Sequence, residues 1–230
     1  MERYNRQIIL EEIGEEGQLA LSQASVLIVG VGGLGSPASL YLAAAGVGRI
    51  GLVDGDSVSQ SNLQRQVLYK EREVGKPKAG CAEERLKELS GNIEIDIYPE
   101  MLTDKNAVEI ARSYDIIVDG CDNTVTRYLI NDTAIKLGIP YVYGAISGFC
   151  GQVSLFNYQG GKNYEDLYPK GSLPSEKPPV TGVIGALPGI IGSIEAMEAI
   201  KIITSAGETL RNRLLTLDAL TMEFNIYEIS

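Results

Sequence analysis

The chain has 230 residues, with 20 basic and 30 acidic side chains and a net charge of −10, which argues against a binder of phosphate backbones, because nucleic-acid domains carry a basic face. Histidine is absent, and the three cysteines, Cys81, Cys121 and Cys150, form no C-x-x-C pair, so Ser-His and Cys-His chemistry is excluded, this chain builds no four-cysteine zinc site, and a reducing compartment is implied. No run reaches the ~18 apolar residues of a membrane span and Met1 to Arg6 is polar, unlike a secretory leader, so the expected location is the cytoplasm with no membrane contact. Whatever chemistry occurs must run on carboxylates, Lys, Arg, backbone amides and a borrowed ion.

Ser25 to Gly30 is a continuous apolar, β-branched run ending in glycines, the pattern of a strand buried on both faces. Leu34 to Ala45 predicts a helix of small residues stopped by Gly46, and Arg49 to Asp54 a second strand, which together form a β-α-β unit with a right-handed crossover. The alternation continues with helices over Lys76 to Ser90, Thr103 to Arg112 (Thr103 as N-cap) and Asn123 to Leu137. Strands are predicted over Ile93 to Tyr98, Tyr114 to Asp119 and Pro140 to Ala145. Gln152 to Asn157 alternates as an antiparallel strand does. Tyr158 to Gly182 has little periodicity and reads as a functional or mobile segment. Val183 to Ser205 predicts a helix broken near Pro188-Gly189, and Arg213 to Asp218 and Glu223 to Ile229 predict two closing strands. The fold class is α/β: a doubly wound, mostly parallel, Rossmann-like sheet extended by C-terminal antiparallel strands.

Gly30, Gly32, Gly33 and Gly35 follow the first strand and open a helix, the context in which a phosphate approaches backbone amides at a helix N-terminus. Asp54 ends the second strand, 24 residues after Gly30, where a carboxylate accepts bonds from ribose hydroxyls. To this point an NAD-dependent oxidoreductase fits as well as an ATP enzyme. The run Ser61-Asn62-Leu63-Gln64-Arg65-Gln66, followed by Lys76 and Lys78, separates the two readings. A triphosphate carries about four negative charges, and Arg65 as a planar fork with Lys78 as a point charge would supply the cations. Asp115 and Asp119 flank an apolar strand, and Asp119-Gly120-Cys121-Asp122-Asn123 follows at its C-terminal end, where ligands of open α/β sheets bind. Asp122 is the expected Mg²⁺ ligand, in preference to a helix N-cap role.

These motifs resemble the family of ubiquitin-activating-like adenylyltransferases that includes the molybdopterin-synthase and thiamine-pathway sulfur-carrier activators (MoeB, ThiF, HesA). The matching elements are Arg3 to Gln7, the Gly30 to Gly35 loop, Asp54-Gly55-Asp56, Ser61 to Gln66 and Val74 to Lys78. Further on come Asp119 to Asn123 with Arg127, Gly151-Gln152-Val153, and Leu187 to Gly192. The resemblance implies one domain over 1–230, with a nucleotide-binding part at about 22–150. Carrier-binding strands, a mobile crossover segment and the last helix then fill about 151–230. It implies Gly33, Asp54 and Asp56 on the nucleotide, Ser61 to Arg65 and Lys78 at the phosphates, Asp122 and Asn123 beside them, and Arg6 reaching across a homodimer. The acceptor it implies is a ubiquitin-like sulfur-carrier protein ending in Gly-Gly, adenylated with ATP and Mg²⁺, with sulfur supplied by a separate donor such as a cysteine desulfurase. A non-catalytic partner subunit of an activating enzyme is the remaining alternative, and the intact Asp54, Arg65, Lys78 and Asp122 set speaks against it.

The chain departs from that family at two places. Asn163 and Asp166 stand where many members carry the first C-x-x-C pair of a structural zinc site, so no zinc is expected. The stretch Pro174 to Thr181 holds none of the cysteine that some members use for thioester or persulfide chemistry, and Cys121 and Cys150 are expected to be small, buried and inert.

Overall fold

The computed structural model describes residues 2–172 and 182–230. Its centre is one eight-stranded sheet in the order β3-β2-β1-β4-β5-β6-β7-β8. The first five strands, β1 (Ser25–Val29), β2 (Arg49–Val53), β3 (Glu94–Tyr98), β4 (Ile116–Asp119) and β5 (Tyr141–Ser147), are parallel. The last three, β6 (Cys150–Phe156), β7 (Arg213–Asp218) and β8 (Glu223–Glu228), are antiparallel to their neighbours. The helices are α1 (Asn5–Ile8), α2 (Gly14–Gln23), α3 (Gly35–Ala45), α4 (Lys78–Leu89), α5 (Ala107–Ala111), α6 (Thr124–Leu137), α7 (Tyr164–Leu167) and α8 (Ala186–Thr204).

The apolar runs are continuous because the sheet is covered on both sides. In β1, Val26 and Ile28 point into one core with Leu42 of α3, Leu86 of α4 and Ile191 of α8, while Leu27 and Val29 point into the other with Ile130 and Ala134 of α6. Side chains alternate across a strand, so burial on both faces leaves no polar position in the run. β8 is the reverse case, an edge strand exposed at every residue.

Four readings from sequence pattern are corrected here. Helix α8 is unbroken, because Pro188 is its third residue, within the first turn where backbone N–H groups have no intrahelical acceptor and a missing donor is harmless. The helix predicted over Thr103 to Arg112 shrinks to Ala107–Ala111: Asn106 turns its Oδ1 back to accept the Thr103 N–H at 2.7 Å, which closes a turn before the helix starts. Two helices, α1 and α2, precede β1 where no pattern had been assigned, and α7 interrupts the aperiodic stretch after β6. Cys150 is exposed rather than buried, since it forms the terminal pair of the β5–β6 hairpin opposite Ser147. The crossover segment expected to be mobile falls largely on residues 173–181, outside the described residues. No described helix is long and apolar enough to cross a membrane.

Candidate nucleotide and active site

Strand order reverses between β1 and β4, since β1 leads outward to β2 on one side and has β4 on the other. A crevice opens at such a switch point beyond the carboxyl ends of the strands. The two turns that flank it interlock. Gly30 N–H donates to Val53 O at 2.7 Å, and Gly120 N–H to Val29 O at 2.8 Å. A side chain on Gly30 (φ +88°) would lie 2.6 Å from Gly120 O, and one on Gly120 would lie 2.9 Å from the Gly30 carbonyl carbon. Only paired glycines let these backbones touch. Beyond them, the N–H groups of Gly32, Gly33 and Leu34 meet no protein acceptor among the described residues. They open onto the N-terminus of the eleven-residue helix α3, an arrangement suited to an anion.

Asp54 fastens this loop. Its Oδ2 accepts the Val31 N–H and its Oδ1 the Asp56 N–H, both at 2.8 Å. Burial raises the Asp54 carboxyl above the ordinary aspartate value, opposed by the Lys78 charge and the two backbone bonds. Lys78 opens α4 directly after Pro77, its backbone N–H bonded to Asp56 O, and its buried Nζ lies 3.1 Å from Asp56 Oδ2. Tyr69 supports the loop from below, its hydroxyl donating to Val31 O at 2.7 Å. Ser61, Asn62, Leu63, Gln64 and Arg65 form a turn whose capping box ties Asn62 Oδ1 to the Ser59 N–H at 3.1 Å. Arg65 folds back to Ser61 O at 3.0 Å, with its Cδ 3.9 Å from where a Gly33 side chain would begin. Among the described residues Arg65 has no carboxylate partner.

On the β4 side, the cap of α6 is Asn123, whose Oδ1 accepts the Thr126 N–H at 2.9 Å. Asp122 is thereby released from capping. It is exposed, engaged only by Asn123 Nδ2 at 3.4 Å. No cluster of three or more potential metal ligands exists among the described residues. One carboxylate without a cationic partner among the described residues, beside the glycine loop, still fits Mg²⁺, which is usually held by one or two carboxylates plus substrate phosphates rather than by an all-protein cage. Asp115, at the other end of β4, accepts the N–H and hydroxyl of Ser25 and is not part of the site.

The structure thus brings Gly30, Gly32, Gly33, Gly35, Asp54, Asp56, Ser61 to Arg65, Lys78, Asp122 and Asn123 to one crevice. It does not bring Arg6. Gln7 beside it donates to Ala45 O at the far end of α3, a helix about 16 Å long at 1.5 Å per residue. Pattern reading gave no support role to Tyr69, which is buried beneath the loop. A polar recess of about 500 Å³ lined by Lys201, Arg211, Arg213 and Glu208 lies at the opposite, amino-terminal edge of the parallel strands, away from this chemistry.

Burial raises the thiols of Cys81 and Cys121, the latter also through Asp119, so neither is a ready thiolate.

The ThiF family model matches residues 4–230. The chain is 48% identical over 231 residues to the sulfur carrier protein adenylyltransferase of Thermus thermophilus, covering 97% of this chain and 85% of that one. It is 46% identical to a probable molybdopterin-synthase adenylyltransferase of Porphyra purpurea, with coverage of 99% and 60%. A probable adenylyltransferase/sulfurtransferase MoeZ of Mycobacterium tuberculosis is 45% identical, with coverage of 99% and 59%. The chain therefore spans little more than half of several relatives. Among solved structures, Escherichia coli MccB with MccA-N7isoASN superposes with a TM-score of 0.90 at 23% identity, covering 99% of this chain and 72% of that one; at that identity the likeness is one of fold. By sequence match over nearly its full length, this chain is a member of the ThiF family.

Proposed function

We propose that the chain is an ATP-dependent adenylyltransferase that activates the C-terminal Gly-Gly carboxylate of a ubiquitin-like sulfur-carrier protein, releasing pyrophosphate. The carrying observation is the set of amides at Gly32, Gly33 and Leu34 that meet no acceptor among the described residues, at a switch point where Arg65 and Lys78 follow β2 and Asp122 follows β4, in a chain 48% identical to a sulfur carrier protein adenylyltransferase. The carrier's carboxylate is already ionised at neutral pH, so its attack on the α-phosphate needs no general base. The site needs only to align the two reactants and to stabilise charge, which is why a chain without histidine suffices.

In this reading Gly30, Gly32, Gly33 and Gly35 receive the phosphates, Asp54 and Asp56 face the ribose, and Asn62, Arg65 and Lys78 hold the phosphate oxygens. Asp122 holds Mg²⁺, which when bound neutralises phosphate charge, and Asn123 lies beside it at the nucleotide. Arg6 is assigned to the partner's site in a homodimer, because in its own chain it lies at the wrong end of α3. Residues 151–230 present the carrier-binding surface, sulfur comes from a separate donor, and the protein works in the cytoplasm. The oxidoreductase alternative is not favoured, since a dinucleotide leaves Arg65 and Lys78 without purpose.

The test is ATP–pyrophosphate exchange. Exchange is expected only with Mg²⁺ and a carrier bearing a free Gly-Gly end. Exchange that persists after the carrier's last glycine is removed would overturn the proposed acceptor.

A further inference from the structure

The loop that carries Asp122 is held from beneath by a buried ion pair. β4 ends in Asp119, which is wholly buried. Its Oδ1 accepts the Cys121 N–H at 2.9 Å, and its Oδ2 accepts the Tyr141 hydroxyl at 2.7 Å and Arg127 Nε at 3.3 Å. Arg127 reaches back from the first turn of α6, and its Nη2 donates to Cys121 O at 3.2 Å and to Gly144 O at 3.4 Å. The guanidinium carbon sits 5.5 Å from the centre of the Tyr143 ring. Both backbone groups of Cys121 are therefore bonded by the two halves of one ion pair, and the next residue is Asp122.

A buried ion pair is a weak source of net stability, because desolvation offsets the attraction. Its value lies in geometry: a rigid guanidinium fork and a carboxylate with every oxygen engaged allow one backbone arrangement. Across Gly144 lies Glu195 of α8, also wholly buried; a side chain on Gly144 would lie 2.6 Å from Glu195 Oε2. Burial raises the Glu195 carboxyl well above the ordinary glutamate value, and among the described residues Asp119 is the carboxylate that pairs with Arg127.

We propose that Asp119 and Arg127 are positioning residues that clamp the backbone at Cys121 and so preset Asp122 at the mouth of the glycine loop before any ligand arrives. The proposal rests on reading Asp122 as the metal-binding carboxylate. The variants are Arg127→Lys, which keeps the charge and loses the fork, Tyr141→Phe, which removes one bond to Asp119, and Asp122→Ala as reference.

Two measurements decide it. In protein free of nucleotide and metal, amide hydrogen exchange at Cys121 should rise about tenfold or more in Arg127→Lys, as expected on losing one charge-assisted bond, and less in Tyr141→Phe. In ATP–pyrophosphate exchange, the half-saturating Mg²⁺ concentration should rise by about tenfold in Arg127→Lys, by more than the saturated rate falls. A general loss of stability would not move the Mg²⁺ midpoint. If Asp122→Ala leaves that midpoint unchanged, the metal reading fails and the amide exchange still tests the clamp. If Asp122→Ala moves it while Arg127→Lys alters neither measurement, the clamp is overturned. Should Arg127→Lys not fold, Tyr141→Phe decides: faster exchange at Cys121 supports the clamp, and unchanged exchange overturns it.

Discussion

Gly120→Ala puts the interlocked loops to a quantitative test. The new methyl carbon would sit 2.9 Å from the Gly30 carbonyl carbon, whereas carbon atoms in comfortable contact are about 3.5–4.0 Å apart. The Gly30 carbonyl oxygen is closer still, so the loops after β1 and β4 must part by at least about 1 Å. That separation moves the glycine loop and Asp122 relative to each other, and a displacement of this size at a reacting centre costs on the order of 10²-fold in rate, or about 2.7 kcal/mol. Overpacking should also lower stability by about 1–3 kcal/mol, which a denaturation curve reads separately. The control is Gly80→Ala in α4, where a side chain meets nothing within 4 Å and alanine should stabilise the helix by roughly 0.5–1 kcal/mol. The assay is ATP–pyrophosphate exchange with saturating carrier, well below each variant's unfolding transition. If Gly120→Ala turns over within about threefold of the parent, contact between the two loops does not set the site's geometry.

Arg6→Ala and Lys78→Ala subunits, each inactive alone, should regain exchange activity when mixed, one intact site forming per mixed dimer; no recovery after verified subunit exchange would return Arg6 to its own chain. Glu195→Gln should stabilise the protein increasingly as pH rises above about 4.3, the ordinary glutamate value. The folded state holds the Glu195 proton more tightly than the unfolded chain, so stability in the parent is lost as pH rises toward the folded-state value. Equal pH profiles for the two in chemical denaturation would refute that. Asn163→Ala and Asp166→Ala should each cost about 1 kcal/mol, and purified protein should keep its unfolding midpoint in chelator; one zinc per chain by elemental analysis would contradict this.

Much of the fold is legible because β1, β2, β4 and α3 obey strict patterns. A strand buried on both faces admits only apolar residues, and the close approach of two strand-end turns admits only glycine at Gly30 and Gly120. The legible part of the candidate site is the part set by residue type: the cations Arg65 and Lys78 and the carboxylate Asp122 proposed for a triphosphate and its metal. What sequence pattern hid is set by distance. Nothing in the spacing of Asn123 says that it, and not Asp122, caps α6. Asp119 reads as another acid at a strand end, and only the fold reveals that the Cys121 N–H has engaged one of its oxygens and Tyr141 and Arg127 the other. Pro188 misled for the opposite reason. Its effect depends on helix position, which one-dimensional pattern does not fix.

The turn after β6 is held by hydrogen bonds and aromatic packing at the place where the resemblance puts an anchor. Where the resemblance puts two zinc-binding cysteines, Asn163 Oδ1 accepts the Glu165 N–H at 2.8 Å and Asp166 Oδ2 accepts the Asn163 N–H at 2.7 Å, a capping box that closes α7 on itself. Tyr164, the first of the two residues between them, is wholly buried against Tyr128, Tyr143 and Tyr168, with its N–H on Asn131 Oδ1 at 2.8 Å. Tyr128 in turn donates to Tyr168 O at 2.8 Å. Each cap bond contributes about 1 kcal/mol, and burial of one large aromatic side chain about 2–3 kcal/mol. These contributions are smaller than that of a structural zinc, but they fall in the folded chain itself and need no metal. They fix residues 163–168 onto α6, the same helix whose first turn supplies Arg127. The turn that stands where the resemblance puts the zinc anchor and the proposed clamp beneath Asp122 therefore share one support, and loosening Tyr164 should be felt at the loop that presents Asp122.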